Sequence, residues 1–279
     1  MRDTPKTYPI YFHIHLVSDS TGETLVALSR AACSQFPQGV ALEHLHALVR
    51  SEQQMNKVLE HAQSYPGIVF YTIVNSQRRR QLEKKCRDLK IPAVPILDPA
   101  LATLGRYLGA PMSSEVGAQR NLDQNYFSRI SALDFTMAHD DGQSAETLDE
   151  ADILLLGISR TSKTPTCIYL ANRGFKAANI PLVPGAPLPE NVTSLKNTLI
   201  VGLISTPDRI LEIRKQRLST LGEVRATEYT DSEAVRAEMM AAKRLFAKHR
   251  WPYVDVSRRS IEETAARIIN LYQDFKNEL

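Results

Sequence analysis

Cysteine is scarce in this chain, which has only Cys33, Cys86 and Cys167 among its 279 residues. Their odd number and wide spacing fit neither a disulfide framework nor a Cys-x-x-Cys metal site. All three fall in segments with helical spacing, so we expect buried thiols in a protein of the reducing cytoplasm.

Long apolar runs are also missing. A membrane-spanning helix needs about eighteen or more consecutive apolar residues, and no such run occurs. The first fifteen residues contain Pro5, Pro9, His13 and His15, where a signal peptide has an unbroken apolar stretch. We therefore expect a soluble, cytoplasmic protein with no membrane partner.

The chain has little net charge and no Gly-x-Gly sequence. Thirty-four Lys and Arg against 31 Asp and Glu leave +3, and the one basic run, residues 78–80, lies in an amphipathic helical pattern. Proteins that bind a nucleic-acid backbone show a dominant basic face, so we expect no nucleic-acid partner. The twelve glycines contain no Gly-x-Gly, which argues against the fingerprint of a Rossmann dehydrogenase.

The apolar spacing alternates between periods of two and 3.6 residues, which predicts an α/β fold with parallel sheets. Four strand-and-helix alternations fill residues 1–110, an N-terminal α/β domain whose first two strands are predicted at 10–17 and 43–49. Residues 111–150 shift to polar composition and form a connecting segment with one helix. Alternation restarts in 151–279, with a strand predicted at 180–183.

The most informative segment joins a buried strand, 153–156, to a helix. Its turn matches the phosphate-binding P-loop pattern Gly-x4-Gly-Lys-Ser/Thr, except that Ser162 replaces the second glycine. Such loops aim backbone N–H groups at phosphates, while a lysine holds the terminal phosphates and a hydroxyl binds Mg²⁺. The alternative is an ordinary helix N-cap. We favour a nucleotide site formed by Gly157, Ile158, Ser159, Arg160, Thr161, Ser162, Lys163 and Thr164.

A second polar run follows the first strand. Ligands of open parallel sheets gather at the carboxyl ends of the strands, so this run is a candidate for a second anion site. A capping box from Ser20 to Glu23 would explain those two residues alone. The candidate residues of the run are Ser18, Asp19, Ser20, Thr21, Gly22 and Thr24.

Carboxylates occur in two candidate positions. Asp140 or Asp141, after His139 and before Gly142, would serve as the base that phosphoryl transfer needs, although an Asp-Gly turn after a helix is a common arrangement and His139 would then cap the helix dipole. Asp255, near the last strand, either reaches Mg²⁺ or faces solvent.

Arginines provide further candidates for phosphate binding. Arg214 and Arg217 lie one turn apart on a predicted helix, and Arg258 and Arg259 follow the last strand. Each pair either clamps phosphates or lies on a solvated face. A capping box from Ser260 to Glu263 places Arg258 and Arg259 on the loop before the final helix.

Several of these blocks together resemble the pyruvate, phosphate dikinase regulatory proteins. The blocks occur in the family's order over nearly the whole chain, and they comprise residues 13–24, 126–130, 139–142, 157–165, 169–171, 179–184 and 260–264. The loop with Ser162 matches the family's own pattern. The resemblance thus implies a kinase-like α/β domain that carries the P-loop.

The resemblance also implies a bifunctional serine/threonine kinase and phosphorylase. Such enzymes inactivate the dikinase by phosphorylating an active-site threonine with ADP as donor, and reactivate it with inorganic phosphate, which leaves as pyrophosphate. A sister branch acts on phosphoenolpyruvate synthase; the opening block resembles the dikinase branch more closely. Lys163 would then stabilise the transferred group, and Thr164 would bind Mg²⁺.

Two other interpretations stay open at this point. A small-molecule P-loop kinase would share the loop, but it would use ATP and a free metabolite. A nucleotide-sensing regulator would block its partner without covalent change. We also expect a homodimer, because the target of such a regulator is oligomeric.

Overall fold

The computed structural model describes residues 9–109, 124–220 and 228–278. The chain divides into two compact units, Met1–Asn121 and Leu122–Leu279. Residues 110–123, which include the polar start of the predicted connecting segment, lie outside the described residues. The helix of that segment belongs to the second unit.

The first unit alternates strands and helices as the spacing predicts. Its four strands are all parallel, in the order β2-β1-β3-β4. The elements are β1 (Ile10–Ser18), α1 (Glu23–Cys33), β2 (Gly39–His46), α2 (Glu52–Ser64), β3 (Gly67–Thr72), α3 (Ser76–Asp88), β4 (Ala93–Pro95) and α4 (Asp98–Leu108).

The second unit contains a sheet of the same kind. Its strands are also parallel, in the order β6-β5-β7-β8. The elements are α5 (Gln124–Ala138), β5 (Ile153–Gly157), α6 (Lys163–Ala171), β6 (Ala177–Pro181), β7 (Leu199–Ile204), α7 (Pro207–Thr220), α8 (Ser232–His249), β8 (Tyr253–Asp255) and α9 (Ile261–Glu278). Short 3₁₀ turns include Asp140–Gly142 and Ala145–Glu150.

Both faces of the second sheet are buried, as a parallel sheet requires. Leu154 and Leu156 of β5 pack with residues of α7 and α8, whereas Ile153 and Leu155 pack with residues of α6 and α9. The carboxyl ends of the parallel strands lie together at one edge of this sheet. Because β6 lies on one side of β5 and β7 on the other, the strand order reverses at the crevice between β5 and β7. Such switch points are where ligands bind in open α/β sheets.

Two predicted strands differ in position from those observed. The strand expected at 43–49 spans Gly39–His46, and the one expected at 180–183 spans Ala177–Pro181. In the first case, Leu48 takes a left-handed backbone conformation (φ 57°), which a strand cannot contain. In the second, Ala177 and Ala178 carry small side chains that give a weak periodic signal, although both are fully buried.

Helix starts were predicted with mixed success. The capping box at Ser260 and Glu263 is confirmed by two hydrogen bonds of 3.1 and 3.0 Å. The capping box at Ser20 and Glu23 is wrong, because the residue before α1 is Gly22 in a left-handed conformation (φ 80°), with no side-chain cap. A side chain there would also meet Leu45 Cδ1 at 2.7 Å.

The three cysteines are free thiols in helices. Cys86 and Cys167 are buried as predicted, whereas Cys33 is only half-buried. The longest helices, α8 and α9, carry charges along their length, and within the described ranges we find no candidate for a membrane-spanning helix.

Candidate functional site

The predicted nucleotide loop connects β5 directly to α6. Gly157 ends the strand with no room for a side chain, because a Cβ atom would meet Thr161 Oγ1 at 2.7 Å and the Leu203 carbonyl oxygen at 2.8 Å. Arg160 and Ser162 have positive φ angles of 76° and 60°. Ser162 therefore adopts the left-handed conformation that glycine would take without strain at this point of the loop.

Lys163 is the first residue of α6, and its side chain is only 6% exposed. Its Nζ donates to the Ile158 carbonyl oxygen across 3.2 Å, inside the loop. Burial lowers the pKa of Lys163 to about 8, although the nearby carboxylates of Asp141 and Asp140 act in the opposite direction. The loop thus encloses a cation whose charge is costly until an anion arrives.

The turn after α5 brings both candidate carboxylates to the loop. Asp140 Oδ1 accepts hydrogen bonds from Thr164 Oγ1 at 2.8 Å and from Asn179 Nδ2 at 2.5 Å. Asp141 has a left-handed backbone (φ 50°), and its amide donates to Asn179 Oδ1 at 3.3 Å, while its side chain is exposed. Asp140 is thus held against α6, whereas Asp141 faces outward beside Lys163.

His139 packs in the protein interior and supports the structure rather than forming part of the loop. The side chain is buried and stacks on Phe135, with ring centroids 3.7 Å apart. Its ring nitrogens lie 2.8 Å from the Phe135 carbonyl oxygen and 2.7 Å from Thr147 Oγ1. These contacts anchor the turn that carries Asp140 and Asp141.

Arginines gather in a cavity of about 340 Å³ on one side of the loop. Arg258 and Arg259 line it together with Arg160 and Ser162 of the loop, as well as Arg209 of α7, which the sequence analysis did not single out. The cavity lies beyond the carboxyl ends of β7 and β8. A concave site with several guanidinium groups and hydroxyls is suited to a phosphate.

Arg214 and Arg217 do not form a clamp. Arg214 is buried and holds Glu238 of α8 through bonds of 3.1 and 2.7 Å, and it also donates to the Tyr229 carbonyl oxygen at 3.0 Å. Arg217 is exposed. Arg214 therefore neither lies on a solvated surface nor lines the arginine-rich cavity. It joins α7 to α8 and to the backbone of Tyr229.

Tyr229, which sequence reasoning missed, touches the loop directly. Its hydroxyl lies 3.1 Å from both Ser159 Oγ and Arg160 Nε. Burial raises its pKa, but the hydrogen bonds from Ser159 and Arg160 outweigh this effect, so the pKa is lowered overall. The only available signal was a tyrosine between two helical patterns, which is not specific.

A second, larger cavity of about 1,040 Å³ also borders the loop. Its walls are mainly apolar, with one side from residues 181–188 and the other from α8; Ile158 and Tyr229 join it to the loop. A volume near 1,000 Å³ with mainly apolar walls is typical of pockets for small organic ligands.

The remaining candidates engage in local contacts. Asp255 accepts hydrogen bonds from Ser257 N and Oγ, at 2.9 and 2.5 Å. Burial raises the pKa of Asp255, but these hydrogen bonds and nearby Arg259 lower it by a larger amount, so that the net shift is downward. The carboxylate bonded to Thr164 is therefore Asp140 rather than Asp255.

The polar run after β1 belongs to the first unit. Ser18 and Asp19 are buried; Ser18 Oγ accepts from Thr72 Oγ1 at 3.0 Å, and Asp19 Oδ2 accepts from the Val74 amide at 2.8 Å. These bonds join the ends of β1 and β3. Ser20, Thr21 and Thr24 stay candidates for an anion site on this unit.

Comparison with known proteins identifies relatives over nearly the whole chain. A family model described as "Kinase/pyrophosphorylase" matches residues 14–269. Proteins of Maricaulis maris and Caulobacter vibrioides are 57% and 55% identical, over 99% and 96% of this chain and 99% and 85% of their own lengths. A Hyphomonas neptunium protein is 52% identical over 97% of both chains. All three are named "Putative pyruvate, phosphate dikinase regulatory protein".

Proposed function

The chain belongs to the kinase/pyrophosphorylase family, and from this premise we propose that it regulates pyruvate, phosphate dikinase by reversible phosphorylation of a threonine. ADP donates the phosphoryl group in the inactivating direction. Inorganic phosphate removes it as pyrophosphate in the activating direction. The printed names of the relatives support the dikinase as target.

The observation that carries this proposal is the environment of Lys163. Its buried ammonium group lies in a loop between two carboxylates and a carbonyl oxygen, at the edge of a sheet where ligands bind. Phosphoryl transfer needs positioning and neutralisation of charge more than covalent chemistry. A desolvated cation beside an exposed carboxylate supplies both.

ADP has a natural placement across the loop. The flat adenine ring fits the apolar cavity beside Ile158, and the phosphates follow the loop from Gly157 to Thr164. The Tyr229 hydroxyl accepts a hydrogen bond from Arg160 Nε and shares one with Ser159 Oγ, and these bonds hold the wall between the cavity and the loop. The β-phosphoryl group then lies near Lys163 Nζ.

In the forward direction, the threonine oxygen of the target attacks the β-phosphorus of ADP. The bond from that phosphorus to the bridging oxygen breaks, and AMP leaves. Asp141 takes the hydroxyl proton, because its carboxylate is exposed whereas Asp140 already accepts two hydrogen bonds. Lys163 stabilises the charge on the transferred group.

The oxygens of Thr164 and Asp140 fit a Mg²⁺ site. The two are hydrogen-bonded to each other and border the loop, and hydroxyl and carboxylate oxygens are the ligands that this ion takes together with phosphates. When bound, Mg²⁺ would neutralise phosphate charge. Asn179 positions Asp140 for this role.

In the reverse direction, a phosphate oxygen attacks the phosphothreonine phosphorus, the bond to the threonine oxygen breaks, and that oxygen regains a proton. In-line displacement requires the attacking and leaving oxygens to lie on opposite sides of the phosphorus. Inorganic phosphate must therefore occupy the side where AMP leaves. The arginine-lined cavity next to Arg160 and Ser162 is suited to hold it.

The test is the intact mass of purified pyruvate, phosphate dikinase and, in parallel, phosphoenolpyruvate synthase after incubation with this protein and ADP or ATP. We expect one phosphate added to the dikinase with ADP and removed when inorganic phosphate is supplied. Modification of the synthase instead would move the assignment to the sister reaction.

A variant set separates the remaining interpretations. Lys163→Met removes the buried charge and keeps the side-chain volume, and it should abolish both directions; Lys196→Met, at an exposed position, is the control. If folded Lys163→Met kept full phosphorolysis activity, the kinase and phosphorolysis reactions would use separate sites. No mass change on either target would favour a non-covalent regulator or, if ATP is consumed with a metabolite, a small-molecule kinase.

A further inference from the structure

Five of the seven histidines of the chain lie together in the first unit. His13 and His15 are on β1, His44 and His46 on β2, and His61 on α2, and their neighbouring ring centroids are 4.8 to 5.5 Å apart. On β1 these histidines share the face of Val17, which packs in an apolar core with α2 and α3. The phosphoryl-transfer residues all belong to the second unit, so this cluster needs an explanation of its own.

Hydrogen bonding assigns the protons of His15. Its Nε2 lies 2.8 Å from the Tyr65 carbonyl oxygen, which only accepts, so Nε2 carries the hydrogen. In a neutral ring Nδ1 then presents a lone pair, and it faces His46 Nε2 at 3.2 Å. A histidine that donates one ring N–H to a backbone carbonyl while the other nitrogen is unprotonated is the typical arrangement of a metal ligand.

His61 adds an unsatisfied polar atom to the same place. Its Nδ1 is buried and has no hydrogen-bond partner among the described residues. Buried polar atoms without partners are rare because they cost roughly 1–3 kcal/mol. One ligand atom from each of His15, His46 and His61 lies within 4.8 Å of the other two.

We propose that His15, His46 and His61 bind a divalent transition-metal ion, with Zn²⁺ as the best match for an all-imidazole site. Tetrahedral zinc with Zn–N bonds near 2.0–2.1 Å separates its ligand nitrogens by roughly 3.3 Å. The His15 and His46 nitrogens are already at 3.2 Å. A small movement of His61 completes the set, and a fourth position is left for water or another ligand.

The protonation state of the cluster also suits this role. Burial, together with the neighbouring His15 and His61, lowers the pKa of His46 to about 4, and burial lowers that of His15 as well. Neutral imidazole is the form that ligates metals. His46 and His61 are half-buried rather than enclosed, which leaves a route for an ion.

The outer pair, His13 and His44, borders the proposed site. His13 Nδ1 lies 2.8 Å from His44 Nε2, and the His44 ring stacks on His15 with centroids 4.8 Å apart. This stacking restricts the His15 ring to the orientation in which Nδ1 faces His46. The outer pair would thus position a ligand without being required for binding.

Metal content of the untagged full chain tests the proposal. After treatment with a chelator and dialysis against Zn²⁺, we expect one zinc per chain by elemental analysis, and Co²⁺ should give the visible bands of a four-coordinate site. His46→Gln and His61→Ala should each weaken Zn²⁺ binding by at least about 100-fold. His249→Gln, in the second unit where the ring stacks on Trp251, should bind as the unaltered chain does.

Binding of zinc with micromolar or better affinity that is lost in both cluster variants and kept in the control supports the proposal. Weak binding that the cluster variants leave unchanged would overturn it and show that the imidazoles only share protons. Circular dichroism establishes that the variants are folded, and His46→Gln, which keeps a polar side chain, guards against misfolding. The assay is independent of phosphoryl transfer, so its outcome does not depend on the proposed function.

Discussion

The Thr164 hydroxyl donates a hydrogen bond of 2.8 Å to the Asp140 carboxylate. This bond connects the start of α6 to the turn after α5 and aligns the two oxygens on which the proposed Mg²⁺ site depends. The same carboxylate accepts from Asn179 Nδ2, so the turn, the loop and β6 meet at one atom.

Removing the Thr164 hydroxyl should therefore reduce both reactions. Thr164→Val keeps the side-chain shape but loses the hydroxyl oxygen, and we expect the rates of threonine phosphorylation and phosphorolysis to fall about 100-fold. The Mg²⁺ concentration for half-maximal rate should rise. Thr193→Val, at an exposed position, is the matched control; equal effects of the two substitutions would contradict the role of Thr164.

The arginine-lined cavity predicts a selective effect on phosphorolysis. Arg259→Gln removes one charged donor, and a charge-assisted hydrogen bond is worth about 1.5–3 kcal/mol, so the KM for inorganic phosphate should rise at least about tenfold. Steady-state kinetics in the activating direction measures this. Arg267→Gln, exposed on α9, should leave the KM unchanged. An unaltered KM in Arg259→Gln would place the phosphate elsewhere.

The pKa of Lys163 predicts how ADP binding depends on pH. Burial lowers this pKa to about 8 in the free protein, so the cation is lost as the pH rises above 8. The affinity for ADP should accordingly fall between pH 8 and 10, while the phosphates of ADP keep a constant charge. Calorimetric titration across this range should show the decrease, and Lys163→Met should bind weakly at every pH.

The lowered pKa of Lys163 also determines how the free energy of unfolding changes with pH. The folded chain gives up the proton of Lys163 near pH 8, but the unfolded chain keeps it until about pH 10.4, so the unfolded state binds more protons in this window. The contribution of Lys163 to the free energy of unfolding therefore becomes more favourable as pH rises from 8. Denaturation of the unaltered chain and of Lys163→Met should show the stability advantage of the Met variant shrinking over this range.

The buried pair of Arg214 and Glu238 should matter for stability. Its side chains are 1% and 13% exposed, and removal of one partner from a buried ion pair costs about 3–5 kcal/mol. We expect a loss of this order for Glu238→Gln in urea denaturation. Breaking the exposed pair with Arg236→Gln should cost less than about 1 kcal/mol. An equally small loss for Glu238→Gln would contradict the prediction.

The alternation of apolar spacing in the sequence determined the α/β class and the parallel sheets, because strand and helix periods are local properties that burial on both sheet faces enforces. The pattern from Gly157 to Thr164 likewise marked the loop, since its spacing reflects local backbone geometry. Strand ends were less predictable: Leu48 and the small Ala177 and Ala178 give no clear periodic signal.

Only the tertiary structure decided which distant residues meet. It selected Asp140 as the partner of Thr164, brought Tyr229 and Arg209 to the loop, and assigned Arg214 to an ion pair rather than to phosphate. It also gathered histidines of two strands and one helix into a single cluster. These contacts depend on strand order and on the packing of α8 and α2, and no local pattern encodes them because the partners lie tens of residues apart.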